Sequence, residues 1–486
     1  VGVPSRKRIK EVFVLFVKSK MGLAGLILLI ILISLAVLFP VVGDQEKINN
    51  WRNYEYWVDY PKKVPPCWAQ RNSFPTQIIT GEDTESYEHE VFRVDDLTVQ
   101  SYIVRFIIER NTPASMNLRL NVSYNKTTYV YIAIVRPDGQ IVNLTNSYES
   151  PTLTSMRTVF GVSSSSYNGT VFRNLAAYIN NPQIANLYIA PWLEASNIIV
   201  GSTELSVLSS KGSQIIFMKL TPAILTNPEL LEGEYKLRID IISKDELVST
   251  GFVSLSLIGT CYGVLGTDVY GRDLSQAVLY GIRWALIIGL LVAFVSTTAG
   301  GLYGILSGYH GGLIDEILLR IAQIVYSIPV LPLLIILSYM LKPSIWNLVG
   351  LLIAFGWPGT ALVTRSMALQ LKEETYVEAA RAFGASHGRI ILKYTLPQTL
   401  PYLFASMALG VPGAILTEAG ISFLGLGDPT KITWGRILNE AQASMATVNG
   451  YWWWMIPPGL MIMVAGTTFI FIGYALDTVL NPRLKR

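Results

Sequence analysis

EAARAFG, from Glu378 to Gly384 with Leu396-Pro397 following, is a short charged, alanine-rich segment set between two long uncharged runs. That setting makes it a cytoplasmic loop of a membrane protein. Val377, Ala380, Arg381 and Gly384 recur at i, i+3, i+4 and i+7 and share a helical face. Ala379 and Ala380 keep this helix thin enough to enter a groove on a partner, with Ala380 at close range. Glu378 sits in the first turn, where a carboxylate favours the helix dipole. Gly384 supplies the left-handed residue that ends the helix and turns the chain towards a second helix around Ser386 to Tyr394. The expected product is two short helices at a right-angle bend, a plug rather than an active site.

Outward from this loop, the composition is that of a membrane protein. The chain has 486 residues, only 15% of them charged, and a mean hydropathy of +0.40. Charge-free windows place spans at Met21 to Gly43, Trp284 to Tyr309, Ile321 to Leu341, Pro343 to Thr364, Tyr394 to Thr417 and a run ending at Leu476. Each is long enough for the ~20 residues that cross ~30 Å of hydrocarbon. Six spans put both termini on one side. Arg6, Lys7, Arg8, Lys10, Lys18 and Lys20 before the first span, and Arg483, Lys485 and Arg486 after the last, make that side cytoplasmic, and Lys372, Arg381, Arg389 and Lys393 put the EAARAFG loop there too. The first apolar run is too long for a signal peptide and no small-residue cleavage site follows Pro40, so it reads as a retained anchor.

Four parts follow: a cytoplasmic N-terminus (1–20), a first transmembrane helix (21–43), an extracytoplasmic insert (44–263) and a core with five more spans (264–486) that contains the cytoplasmic loop 371–401. The insert carries a net charge of −4 against +8 for the remainder, so the two face different environments. Alternating apolar runs at Leu97 to Ile108, Met116 to Tyr124, Tyr129 to Val135, Gln140 to Leu144, Gln214 to Leu220, Tyr235 to Ile242 and Phe252 to Ile258, with a turn at Pro137-Asp138-Gly139, predict an all-β domain, a β-sandwich. Glycosylation-type triplets begin at Asn121, Asn125, Asn143 and Asn168, all within the insert. Cys67 and Cys261 lie near its two ends, which return to the same membrane face; a disulfide between them and a pair of buried thiols are both open, the disulfide favoured.

No catalytic constellation stands out. His89, His310 and His387 lie on different sides or in different segments, which argues against a metal site or a histidine-based triad. Glu418 is a carboxylate in the fifth span's apolar run, a candidate pathway or outer-gate residue or else the cap of a re-entrant helix. Asp268, Arg272, Asp273 and Arg283 read as an outer-face cluster for helix capping and intersubunit pairing. Trp452, Trp453 and Trp454 read as an interfacial aromatic belt. Pro329, Pro332, Pro358 and Pro412 would each interrupt helical hydrogen bonding within a span.

The loop resembles the coupling loop of ABC-importer permeases: EAA, three residues, Gly, nine residues, Ile, one residue, LP, with Tyr394 in the Ile place. LGTDVYGRDLSQAVLYGIR at Leu265 to Arg283 is similar to the GTDxxGRD segment of the dipeptide, oligopeptide and nickel permeases, as are EAGISFLGLG at Glu418 to Gly427, Trp434-Gly435 and the terminal NPRLK at Asn481 to Lys485. The resemblance covers roughly the last 220 residues and the first span, and the large insert departs from it. It implies an ABC-importer permease fold and a transmembrane subunit that takes up short peptides, coupled to ATPase movement through Glu378, Ala379, Ala380, Gly384, Leu396 and Pro397. The implied partners are a second homologous permease, two ATP-binding subunits, an extracytoplasmic substrate-binding protein and the lipid membrane, but no nucleic acid. With no GxxxxGK[ST] and no Gly-Lys pair, the chain has no nucleotide site or cofactor of its own, so ATP and Mg are expected on the partner subunits. Alternatives are the same importer class for oligosaccharides and a helix-anchored surface receptor or adhesin.

Overall fold

The computed structural model describes residues 6–70, 73–80, 87–94, 97–124, 128–144, 167–243 and 249–480. The chain forms two compact units, one of residues 51–273 and one that joins 1–50 to 274–486.

In the 51–273 unit, period-two alternation builds two antiparallel sheets. One orders β1 (Gln77–Thr80), β9 (Ser249–Ile258), β4 (Ser115–Tyr124) and β7 (Tyr167–Asn174). The other orders β2 (Tyr87–Val94), β3 (Leu97–Ile108), β8 (Gly233–Ser243), β5 (Thr128–Val135) and β6 (Ile141–Asn143). Successive strand residues point to opposite faces. Leu118 and Leu120 of β4 and Leu255 and Leu257 of β9 therefore meet Val104 and Phe106 of β3 and Leu237 and Ile239 of β8 in one shared core.

The expectation of an all-β insert needs correction. The chain between β7 and β8 is largely helical, and Gln214 to Leu220 is no strand: the helix Ser202–Ile215 runs into it. Leu175, Ile179, Leu193, Leu208 and Ile215 of these helices join the same core. A run of seven apolar-rich residues reads equally as strand or as buried helix end, and here it holds the last turn of the helix, a turn and a single bridge from Met218 to Leu230.

Arg136 holds this helical layer to the sheet. Its guanidinium is buried, donates to the carbonyl oxygens of Ile216 and Met218, and pairs with Asp138 at 2.8 Å in the turn after β5. Gly139, at φ +80°, completes that turn. Cys67 and Cys261 are joined in a disulfide with Cα atoms 4.8 Å apart. The GTDVYGRD segment closes the unit as a knot of buried polar groups. Asp268 accepts from the backbone N–H of Tyr270 and Arg272 and from the Arg272 side chain, which lies over the Trp51 ring at 4.4 Å. Thr267 donates to the Pro61 carbonyl at 2.7 Å. At Gly271, φ +88°, a Cβ would press on the Tyr60 and Trp57 carbonyls.

In the second unit, Lys20–Val42, Leu274–His310, Ile345–Lys372, His387–Phe423 and Trp452–Leu480 are each long and apolar enough to cross a membrane. The span expected at Ile321 to Leu341 is instead a pair of helices, Gly312–Ser327 and Val330–Met340, bent by 77°. Pro329 is the reason: the residue before a proline is pushed out of the helical region, and Ile328 is extended at ψ 129°. Pro412 leaves its helix continuous, while Pro358 takes a first-turn position where no N–H is missed.

Gly300, Gly304 and Gly308 form a stripe along the Leu274–His310 helix. A Cβ on them would lie 2.3, 2.2 and 2.5 Å from the carbonyl oxygens of Trp357, Ala361 and Arg365. The two backbones touch, as small residues at four-residue spacing permit. Beside this crossing Arg365 grips Asp315 with two bonds of 2.6 Å, and Ser307 donates to the same carboxylate at 2.5 Å. Three helices are thereby clamped together.

Gly304→Val should therefore wreck the second unit, at a cost of about 3 kcal/mol or more because backbone cannot yield as a side chain can, whereas Gly350→Ala, with open space around it, should be neutral. Thermal stability by size exclusion in detergent reads both, and a monodisperse, wild-type-stable Gly304→Val would refute the backbone contact. In the 51–273 unit, burial raises the Asp138 pKa, but the bonds from Arg136 and the Gln140 N–H outweigh it and hold the carboxyl below its ordinary value. Its stabilising effect is then complete above the unfolded value of ~3.9 and is lost as pH falls through the folded one. Asp138→Asn should lower stability at neutral pH and flatten the acid limb of a melting-temperature profile; an unchanged acid limb would exclude this carboxylate as its source.

Candidate functional site

The Pro358–Lys372 helix, gripped by the glycine stripe, leads directly into the helix Thr375–Ala382, which carries EAA. This helix ends in a Schellman closure: the Ala385 N–H reaches the Ala380 carbonyl at 3.0 Å, the Gly384 N–H reaches Arg381 at 2.9 Å, and Gly384 has φ +75°. Ser386 then precedes the short helix His387–Ile390. One widened turn at Ile391–Thr395, closed by the Leu396 N–H on the Ile391 carbonyl, carries the chain into Leu396–Phe423. Leu396 and Pro397 are half-buried at that junction.

One face of the loop is fixed to the unit beneath it. Val377 and Ile390 are fully buried and pack with Ile391, Ile305 and Tyr309. The Tyr309 hydroxyl meets His387 Nδ1 at 3.0 Å, and the Tyr376 and Tyr394 rings lie 6.3 Å apart. His310 and His387, separated by sequence reasoning, are in fact neighbours, with ring centroids 6.1 Å apart. The fold brings the end of one helix over the start of another, which no local pattern reports. Among the described residues no three metal-ligating side chains come together.

The expected outward face must be corrected. Ala380 is 9% exposed and turns inwards with Val377, so it does not face a partner. Glu378, Ala379, Arg381, Ala382 and Phe383 are exposed instead, and Phe383 is 92% exposed. Sequence reasoning missed Phe383; the available signal was an aromatic residue four positions after Ala379, just before the terminating glycine.

The other singled-out residues fall in several places. Glu418 is 5% exposed; Ser422 donates to it at 2.7 Å and Thr433, the N-cap of the short helix Trp434–Ala443, also bonds to it. Trp434 donates to the Val278 carbonyl at 2.9 Å against Gly281, and a Cβ on Gly435 would meet the Ala419 carbonyl at 2.5 Å. Asp268 and Arg272 pair within the chain, and Arg283 is exposed over the Tyr280 ring at 5.8 Å. Trp453 and Trp454 are buried, which leaves Trp452 alone of the three exposed, so the expected aromatic belt is mostly core. Asn143 is exposed and accepts from Tyr131. Asn121 and Asn168 lie in β4 and β7, while Asn125 and the terminal Asn481 to Lys485 fall outside the described residues.

Residues 300–486 match the model of the binding-protein-dependent transport system inner membrane component family. The chain is 36% identical over 222 residues, 46% of its length and 69% of the relative's, to the dipeptide transport system permease protein DppC of Bacillus subtilis. It is 35% identical over 223 residues, 46% of its length and 71% of the relative's, to the oligopeptide transport system permease protein OppC of Haemophilus influenzae. A chain of the inward-facing MetNI methionine ABC transporter aligns at 20% identity and a TM-score of 0.36, over 43% of this chain and 98% of that one. The protein is thus a multi-pass membrane permease component. It belongs to the inner-membrane component family of binding-protein-dependent ABC transport systems.

Gly384→Val should strain the loop helix by about 1–2 kcal/mol, the cost of a side chain in left-handed backbone, although nothing crowds the position. Amide hydrogen exchange at 376–385 should speed up while that of Gly300–Gly308 stays unchanged. Equal protection in both proteins would show that the turn does not need glycine.

Proposed function

We propose that this chain is the transmembrane subunit of an ATP-driven importer of short peptides, and that the Thr375–Ala382 helix couples ATPase movement to translocation. The observation that carries this is the two-sided loop: one face is packed on Ile305 and Tyr309, the other presents Ala379, Ala382 and a nearly naked Phe383. A plug whose base is rigid transmits displacement to what it is fixed to. Here that is the end of Leu274–His310, the Pro358–Lys372 helix and, through the widened turn, Leu396–Phe423. Small residues beside a protruding ring fit a pocket on a partner, in the manner of an interface anchor.

In this reading ATP and Mg belong to two partner subunits, a second homologous permease completes the membrane part, and an extracytoplasmic binding protein delivers substrate. The relatives named as dipeptide and oligopeptide permeases support peptides as cargo. Six spans, counting the bent pair as one, leave both termini and the coupling loop in the cytoplasm and the 51–273 unit outside, where the disulfide of Cys67 and Cys261 is compatible with an oxidising space. Glu418 pins Leu396–Phe423 to the Thr433 cap and is a positioning residue of the outer side rather than part of the route.

Phe383→Ala should leave the subunit inserted and stable but reduce peptide uptake and substrate-stimulated ATP hydrolysis by about tenfold, the ~1.4 kcal/mol or more expected of a lost aromatic anchor. Uptake at the wild-type rate would sink the coupling role of this face. Ala380→Trp, by contrast, should lower the stability of the subunit itself.

A further inference from the structure

The second unit contains an apolar groove of about 560 Å³ that the transport reading leaves unused. It lies between four spans, with Leu29 from Lys20–Val42, Ile287, Leu290 and Phe294 from Leu274–His310, Met407 from Leu396–Phe423 and Ile472 from Trp452–Leu480. Every side chain that lines it is apolar, so it holds nothing for a charged solute. Ile287, Leu290 and Phe294 are 40%, 45% and 60% exposed, which leaves the groove open to whatever surrounds the spans.

The same helical stripe begins with a cation. Arg283, Ile287, Leu290 and Phe294 follow one another at i, i+4, i+7 and i+11 and so share one face. Arg283 is exposed, makes no ion pair among the described residues, and lies over the Tyr280 ring at 5.8 Å, on the turn away from the groove. Phe39 packs edge-on against Tyr280 at 5.5 Å while Leu29 of the same span lines the groove, so the first span flanks the stripe from the cation downwards. The level of Arg283 is that of a membrane interface. Lys431 lies over the ring of the next residue, Trp284, at 5.0 Å, and no Asp, Glu, Lys or Arg occurs from Trp284 to Tyr309. From Arg283 to Phe294 the helix rises ~16 Å, about half of the ~30 Å of hydrocarbon.

We infer that Arg283 and the groove together bind one phospholipid of the adjoining leaflet, its phosphate on the guanidinium and one acyl chain in the groove. A guanidinium presents paired N–H donors to phosphate oxygens, and the stripe from Arg283 to Phe294 is as deep as one leaflet. Each half of the site answers one half of the ligand: a bare phosphate would leave the groove unfilled, and a bare hydrocarbon would leave the cation without an anion. The site rests on the membrane-spanning helices and not on the coupling role of Thr375–Ala382.

Native mass spectrometry of the full-length chain in detergent, titrated with dioleoylphosphatidylglycerol, tests this through the dissociation constant of the first lipid adduct. Arg283→Gln should weaken binding about tenfold or more, as loss of a charge-assisted bond does, and Arg283→Lys should recover part of the loss. Leu290→Trp, which fills the groove, should also weaken it, whereas Leu302→Trp, at an exposed position of the same helix outside the groove, should not. Glycerophosphoglycerol, the headgroup without acyl chains, should not bind. Arg283, Leu290 and Leu302 are all exposed, so the variants should elute like wild type. No adduct on wild type, wild-type affinity in Arg283→Gln, equal effects of the two tryptophans, or glycerophosphoglycerol bound as tightly as the lipid would each overturn the assignment. Peptide uptake is not measured, so failure of the coupling role in transport assays leaves this result untouched.

Discussion

Three carbonyl oxygens lying against three glycines govern the membrane unit. Where Gly300, Gly304 and Gly308 meet Trp357, Ala361 and Arg365, no side chain separates the two helices, so their spacing cannot adjust without breaking contact. In hydrocarbon there is little hydrophobic force between helices, and close packing with interhelical polar bonds must hold them. Both are found here, since the Arg365–Asp315–Ser307 clamp lies beside the glycine stripe. Its charges are met by two short bonds from one guanidinium, the arrangement in which a buried pair is best compensated. The loop that carries EAARAFG leaves directly from this crossing, which gives it a base that does not give way.

The other segments that carry the family resemblance are mostly architecture. In GTDVYGRD the threonine, aspartate and arginine satisfy one another and nearby carbonyls, and the second glycine passes where a side chain would meet Tyr60 and Trp57. In EAGISFLGLG and the Trp-Gly that follows, Glu418 is consumed by hydroxyl bonds and Gly435 admits the Ala419 backbone. Buried polar groups need such partners, since an unsatisfied one costs about 1–3 kcal/mol. Of the three segments, EAARAFG is the one that keeps most of its residues exposed.

The 51–273 unit solves a different problem with the same economy. Two sheets with alternating apolar residues close most of a core, and the helices between β7 and β8 fill what they leave open. Arg136 joins the two parts, its guanidinium entirely used by Ile216, Met218 and Asp138. The disulfide ties the beginning of the unit to its end across 194 residues. Among the described residues a cleft lies beside β1 and the end of β3.

Much of this was legible in the residues themselves because it depends on local pattern. Charge-free length gives spans, alternation gives β3, β4, β5, β8 and β9, and a glycine after EAARAF gives the left-handed close of a helix. Other features depend on which segments become neighbours. Periodicity placed Val377 and Ala380 on one face of the loop helix but could not say that Ile305 and Tyr309 would cover it and leave Phe383 outside. Nor could it pair Asp315 with Arg365, set His310 beside His387, or tell that a helix ends at Ile215, inside the run Gln214 to Leu220. A period determines which residues share a face; only packing decides what that face meets, because burial is a property of two surfaces and the sequence shows one at a time.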